Sequence, residues 1–312
     1  MKQMILVMMS LVLTACASPV TSASSTANEP VDKLAEIQAR GTLVIATDAD
    51  YVPQSRLIPG STPGQDTRCE PTQNTASQFE GFDVDVAHAV ADGLGVEPCF
   101  VTPPWSQLVA GNWGDNWDVH VGSVAITYDR IADLYFTQPY YATPTVLLVH
   151  QDNTTYKSAE DLSGRRIGIC AGCTFEAYLQ GTLEIPGVGL QYRIKNAQPI
   201  AFESEDPAIK ALSVGDGVEL DAVMTIMPKA RAAIEAGSPV KMLEDSVLYA
   251  YASITLDRAG RRVSGRLYAE INRIIRELHQ TGKLSEMSLR YQGMDFSAEA
   301  ALYNISTLNQ SP

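Results

Sequence analysis

The chain has 312 residues, 45% of them hydrophobic, with 36 Asp and Glu against 23 Lys and Arg, for a formal charge of −13. That length holds one large or two medium domains with full cores. The acidic balance excludes nucleic-acid binders and binders of anionic lipid surfaces, which need a cationic face.

In chain order, the sequence opens with Lys2, an apolar run from Met4 to Ala15, and Cys16. The run is shorter than the roughly 20 residues of a membrane span and suits a signal peptide, residues 1–15. Leu13-Thr14-Ala15-Cys16 resembles the lipobox of bacterial lipoproteins, which implies cleavage before Cys16 and a lipid on its sulfur. The Ser-, Thr-, Ala- and Pro-rich stretch 17–30 cannot bury enough apolar surface to fold. Residues 16–40 therefore read as a lipid anchor and flexible tether. Removing residues 1–15 takes the formal charge to −14 through the loss of Lys2 and leaves 297 residues. The mature chain is expected outside the cytoplasm, in the periplasm or at the cell surface, held to a bacterial membrane.

Beyond the tether, short β-like runs alternate with helical patterns, the mark of an α/β fold. Leu43 to Thr47 reads as a strand. A Pro-, Gly-, Gln- and Thr-rich segment, 53–78, is longer than most loops and either covers a cleft or decorates a domain. Phe82, Val86, Val90 and Leu94 recur at helical spacing, with Asp83 and Asp85 placed to complement the helix N-terminus. Trp105 to Val109 reads as a short helix, Trp117 to Val121 as a strand running into Gly122-Ser123, and Val146 to Val149 as another strand. Ser158 to Asp161 is a capping-type helix start. Arg166 to Ile169 and Leu220 to Met224 read as strands. Leu267, Ile271, Ile274, Ile275 and Leu278 line one face of a long helix that Gly282 stops. No internal repeat and no coiled coil is evident.

Four cysteines remain beside Cys16, an even count that in an oxidising compartment favours disulfides, with three possible pairings. The sequence-local choice is Cys69–Cys99 and Cys170–Cys173. Taken alone, Cys170-Ala-Gly-Cys173 reads as a redox pair, half of a zinc site, or a pinned turn opening a helix. No second Cys-x-x-Cys or spaced His pair supports zinc. A reactive Cys at a helix N-terminus is the thiol oxidoreductase reading. His88, His120, His150 and His279 form neither triad nor metal spacing.

Several landmarks in fixed order resemble the polar amino-acid binding proteins of ABC importers, family 3 of the bacterial extracellular solute-binding proteins. They are Gly41 to Tyr51 (GTLVIATDADY), Gly81 to Asp85 (GFDVD), Trp117 to Ser123 (WDVHVGS), Ile126 to Arg130 (ITYDR), Phe136 to Tyr141 (FTQPYY), Asp161 to Gly168 (DLSGRRIG) and Gly282 to Tyr291 (GKLSEMSLRY). The resemblance covers about 41–293. It implies a two-lobed periplasmic-binding-protein fold of type II, its α/β lobes joined by two hinge strands. Lobe 1 is expected over 41–143 plus 250–293 and lobe 2 over 147–247, with hinges near Pro144-Thr145 and Tyr249-Ala250 and a C-terminal tail over 294–312.

The resemblance further implies ligand-binding roles. Arg130 would hold the ligand's carboxylate bidentately, failing which it is a surface cation paired with Asp129 or Asp133. Ser123 would offer its backbone and hydroxyl. Tyr51 and Trp105 would place rings against the ligand, and Asp48 would meet its polar end. Thr174 and the backbone N–H groups from Cys173 to Phe175 would face an anion.

Two positions depart from the family pattern. Ala125 stands where a serine often helps bind the carboxylate, and Ile226 stands where an aspartate usually pairs with the α-amino group. A buried ammonium without a carboxylate is costly, so another acid, with Asp48, Asp50 or Glu176 nearest, substitutes, or the ligand is no simple α-amino acid. The function implied is delivery of an amino acid or related small carboxylate to the transmembrane subunits of an ABC permease by a monomer. No cofactor, metal, nucleic acid or catalytic residue is expected. The alternative is an exported cyclohexadienyl dehydratase-like enzyme acting on prephenate or arogenate.

Overall fold

Strands that lie in the middle of a sheet covered on both faces need unbroken apolar runs. Thr42–Ala46 and Ala222–Ile226 meet that condition, since every residue of both is buried. In the computed structural model, which describes residues 32–243, 246–260, 264–305 and 308, each anchors one lobe. Thr42–Ala46 runs parallel to Glu97–Val101 and Val119–Ala125. Arg166–Cys170 runs parallel to Gln198–Phe202 and Ala222–Ile226.

Two ten-residue strands, Tyr141–His150 and Leu248–Asp257, join these halves into one sheet of eleven strands. They pair antiparallel, with Thr143 opposite Ala250, Pro144 opposite Tyr249 and Thr145 opposite Leu248. Alternate residues of the first strand serve opposite cores: Leu147 and Val149 enter one lobe 2 cluster, Val146 and Leu148 the other. That is the two-residue period of a strand with both faces covered.

Helices complete each lobe. Phe82–Leu94 buries Phe82, Val86, Val90 and Leu94, and Gly265–Gln280 buries Leu267, Ile271, Ile274, Ile275 and Leu278. Both pack into the larger lobe 1 core, where each such side chain contributes about 1.5–3 kcal/mol of burial. The opposite face of the lobe 1 sheet is filled by Trp113, Trp117, Val124, Ile126, Leu134 and Phe136. Among the described residues no helix is long and apolar enough to cross a membrane.

Three sequence expectations change, and of the two readings of the 53–78 segment one is selected. The tether does not extend to residue 40: Lys33–Arg40 is a helix, capped by the Asp32 carboxylate, with Leu34 and Ile37 in the lobe 1 core. Its i, i+3 apolar pair is too short a pattern to outweigh the polar stretch before it. Cys16 and the signal peptide lie outside the described residues. The 53–78 segment decorates lobe 1. Ser55–Leu57 pairs with Asp50–Tyr51 and Phe79–Glu80 in a small sheet, Asn74–Thr75 extends the large sheet, and a Cys69–Cys99 disulfide ties the segment down. Ser158 to Asp161 opens only a 3-10 turn, Glu160–Leu162; the Asp161 carboxylate accepts from the Lys157 and Ser158 N–H groups. The C-terminal tail holds a helix, Ser297–Leu302, next to buried Phe296, whose carbonyl accepts from Ala142 on the hinge strand.

Candidate functional site

The parallel strands of the two lobes end at a common cleft, the place where open α/β sheets present loops to a ligand. The cleft holds about 120 Å³ of free space, enough for a small molecule and below the 300–1,000 Å³ usual for drug-sized ligands. Its walls include Asp48, Tyr51, Trp105, Ser123, Ala125 and Arg130 from lobe 1 and Cys173, Thr174 and Ile226 from lobe 2. Glu176 is not among them; its carboxylate accepts from Gln180 on the solvent side of its helix. None of residues 53–78 lines the cleft either.

Arg130 is delivered by local structure. The strand Val119–Ala125 ends, Thr127 caps the single turn Tyr128–Ile131 by accepting from the Arg130 N–H, and the guanidinium turns back into the cleft. Nη1 donates to the Ala125 carbonyl at 3.1 Å and Nη2 to the Gly172 carbonyl of lobe 2 at 3.1 Å. The Trp105 ring lies 5.4 Å beneath it. Among the described residues no ion pair involves Arg130, so it is not a surface cation held by Asp129 or Asp133. Burial pulls its pKa down to about 10, Asp129 opposing only in part. A guanidinium bound to neutral carbonyls retains its attraction for an incoming carboxylate.

Ser123 lines the cleft, but its polar groups are committed inward. Its N–H donates to the Tyr140 hydroxyl at 3.0 Å and its Oγ to Asp83 at 2.7 Å. Its φ of 61° places it in the left-handed region, where a non-glycine residue persists only when its surroundings hold it. Asp83 stands in the first turn of its helix, as expected of a dipole complement, but its carboxylate is also turned to the back of the cleft wall. It is fully buried, accepts from Ser123 and Tyr140, and burial pushes its pKa up to about 7.

The lobe 2 wall comes from two adjacent strand-to-helix turns. Arg166–Cys170 leads through Ala171-Gly172 to the helix Thr174–Gln180, capped by Cys173, and Cys170 and Cys173 form a disulfide. The neighbouring strand Gln198–Phe202 leads to the helix Glu205–Leu212. Register sets Cys170 beside Phe202, so the two turns open side by side, and Glu205 stands next to the disulfide.

Glu205 went unnoticed in the sequence, although Ser204-Glu205-Asp206-Pro207 carries a helix-start signal like that of the CAGC turn. It is buried, lines the cleft, and accepts a 3.3 Å hydrogen bond from the Tyr51 hydroxyl. Burial pushes its pKa up to about 7, with the backbone at its helix start and then Lys229 opposing. Asp48 across the cleft is raised to about 6, again by burial, with Lys229 opposing. Lys229 itself pairs with Asp206 at 2.7 Å and lies 5.6 Å from the Tyr51 ring. Ile226 is apolar wall at the end of its strand, while Asp50 is exposed at the cleft edge.

No histidine lines the cleft. His120 is buried behind it, 6.2 Å from Trp105, its pKa lowered to about 3 by burial and Arg130. His88 faces Phe100, His150 takes an N–H from Asp152, and His279 bonds the Pro139 carbonyl.

Known proteins resemble this chain in sequence or in fold. The L-cystine-binding protein TcyJ of Escherichia coli (strain K12) is 24% identical over 266 residues, covering 84% of this chain and 86% of that protein. The solved structure of an amino acid ABC transporter substrate-binding protein from Streptococcus pneumoniae bound to L-arginine overlays with a TM-score of 0.66 at 22% identity, covering 84% of this chain and 98% of that one. The ancestral amino acid-binding protein AncCDT-1, a precursor of cyclohexadienyl dehydratase, overlays with a TM-score of 0.65 at 24% identity, covering 84% and 100%. The family model described as bacterial extracellular solute-binding proteins, family 3, matches residues 63–294. A match over that much of both lobes means that the chain belongs to the bacterial extracellular solute-binding proteins, family 3.

Proposed function

We propose that the chain is the extracytoplasmic binding component of an ABC importer, taking an α-amino acid into the interlobe cleft and presenting it to the permease. The observation that carries this reading is one cleft holding both a guanidinium that, among the described residues, has no carboxylate partner and two acids, Asp48 and Glu205, that burial raises toward neutrality although Lys229 opposes. The ligand's carboxylate would sit on Arg130, beside Thr174 and the Cys173 turn. Its ammonium would go to Glu205, with Asp48 near, in place of the aspartate that Ile226 replaces. Relatives that bind cystine or arginine support an amino-acid ligand. The lobes would close by bending near Pro144-Thr145 and Tyr249-Ala250.

Calorimetry against a panel of amino acids tests the reading. Arg130→Ala is expected to weaken the best ligand by about 2–5 kcal/mol, the cost of removing one partner of a buried charge pair. Unchanged affinity in that variant would remove Arg130 from the site. Attachment through Cys16, with the mature protein a monomer, is part of the same proposal. Palmitate labelling lost in Cys16→Ser is the expected result, and labelling that persists rejects the anchor. A second reading has one observation in its favour, a buried cleft acid, Glu205, whose pKa burial raises to about 7 and which could serve as general acid. Conversion of prephenate or arogenate to an aromatic product would decide for an enzyme.

A further inference from the structure

We propose that the cleft contains a redox-gated metal site: once Cys170 and Cys173 are reduced, their two thiolates and the Glu205 carboxylate hold a thiophilic divalent cation of the zinc class. The proposal stands whether or not the cleft takes an amino acid.

The two sulfurs and a carboxylate oxygen of Glu205 all lie within 4.8 Å of one another. In a tetrahedral site with bonds of about 2.0–2.3 Å, donors sit roughly 3.3–3.8 Å apart. Opening the S–S bond and rotating one carboxylate therefore suffices to surround an ion. The donors come from three backbone positions that the sheet already holds together: the end of one strand, the cap of its helix, and the first residue of the neighbouring helix. Cys170, Cys173 and Glu205 all line the cleft, which leaves a coordination position open to solvent or to a small-molecule donor. Asp48 and Glu203 on the same cleft add negative field that favours a cation, against the Arg130 guanidinium on the Gly172 carbonyl.

While the sulfurs are joined they are poor ligands, so the bond is the gate. Cys173 is half-buried and faces the cleft, whereas Cys170 is 3% exposed, so a dithiol reductant attacks the Cys173 sulfur and Cys170 leaves. The reductant gives two electrons and closes its own disulfide, and its two protons pass to the two cysteines. The cation then displaces those two protons as it binds the thiolates.

The experiment treats the full chain with dithiothreitol, desalts it without oxygen, and titrates it with Co²⁺, reading the thiolate-to-cobalt absorption band and its displacement by Zn²⁺. One equivalent of Co²⁺ should develop the band in the reduced protein and none in the oxidised protein. Cys170→Ser/Cys173→Ser, which retains Cys69 and Cys99, should abolish it. Glu205→Gln, which leaves both cysteines intact, should keep the band and weaken binding by at least about tenfold, since even outer-shell partners are worth 10–100-fold. The proposal is overturned by a reduced protein without the band, by a band that survives Cys170→Ser/Cys173→Ser, or by unchanged affinity in Glu205→Gln.

Discussion

Glu205 concentrates the chemistry of the cleft in one side chain. Its ordinary pKa of 4.5 rises to about 7 because burial disfavours the anion more than Lys229 and the helix start favour it. Two opposite pH effects follow. Between about pH 4.5 and 7 the ligand-free fold holds a proton that the unfolded chain has lost, so stability falls as pH rises through that window. Ligand ammonium needs the carboxylate, so affinity rises over the same range, by about tenfold per pH unit below about pH 6, and levels above about pH 7. Thermal melts and calorimetry from pH 5 to 8 should therefore slope in opposite directions. Glu205→Gln should reduce both slopes, with Asp48 and Asp83 supplying what remains of the first. An affinity independent of pH in the wild type would exclude Glu205 as the ammonium partner. The residue is hidden in the sequence because the family's amine-binding position ends the strand Ala222–Ile226, whereas the acid that meets the cleft follows Gln198–Phe202, with Arg166–Cys170 between the two in the sheet.

At the scale of elements, the 53–78 segment combines unusual length with order. Its anchors are the Cys69–Cys99 disulfide, the Glu97 carboxylate accepting from the Arg68 N–H, and buried Gln54 bonded to Gln292 and Tyr141. At its far end Gly81 begins the helix Phe82–Leu94 with φ 133°, where a Cβ would lie 2.3 Å from the Gln54 carbonyl oxygen, so only glycine fits. A crosslink closing about 30 residues is worth roughly 3–4 kcal/mol in the chain-entropy picture. Cys69→Ser/Cys99→Ser should lose about that much in urea denaturation while ligand affinity stays unchanged, because the segment lies outside the cleft. A loss below about 1 kcal/mol would mean that Gln54 and its partners hold the segment alone. The helices Phe82–Leu94 and Gly265–Gln280 are legible because their periodicity runs long, whereas the strand Leu248–Asp257 carries no such pattern. The short helix Lys33–Arg40 and the turn Glu160–Leu162 are not legible either, since a turn or two of helix is too little pattern to read.

Across the whole molecule, contacts from one lobe to the other meet at the cleft and beside it. Arg130 and Trp105 both reach the Gly172 carbonyl, Tyr51 reaches Glu205, and the Tyr128 N–H donates to the Glu184 carbonyl. Farther from the cleft, Tyr303 stacks on Tyr251 of the hinge strand at 4.6 Å and donates to the Pro186 carbonyl of lobe 2 at 2.6 Å. The C-terminal segment thus bridges the hinge strand and lobe 2. Tyr303→Phe removes one hydrogen bond worth about 0.5–1.5 kcal/mol and keeps the ring stack. If closure and binding are linked, ligand affinity should fall by up to about tenfold, with no ligand contact altered. Fluorescent labels on the two lobes should report a larger open fraction in the same variant. Equal affinity and equal open fraction would make the contact incidental.

By itself the sequence determined the central strands of both lobes, the helices Phe82–Leu94 and Gly265–Gln280 and the family, because each is carried by local periodicity or by a short motif; Glu97–Val101, Gln198–Phe202 and Leu248–Asp257 carried no such signal. Tertiary structure alone decided that Ser123 turns its hydroxyl to Asp83, that Glu205 stands beside the Cys170–Cys173 disulfide, and that the C-terminal segment bridges the hinge strand and lobe 2. Those outcomes depend on which strands become neighbours and in what register. The residues that meet lie from 32 positions apart, for Cys173 and Glu205, to 117, for Tyr303 and Pro186, and nothing local in the chain encodes those meetings.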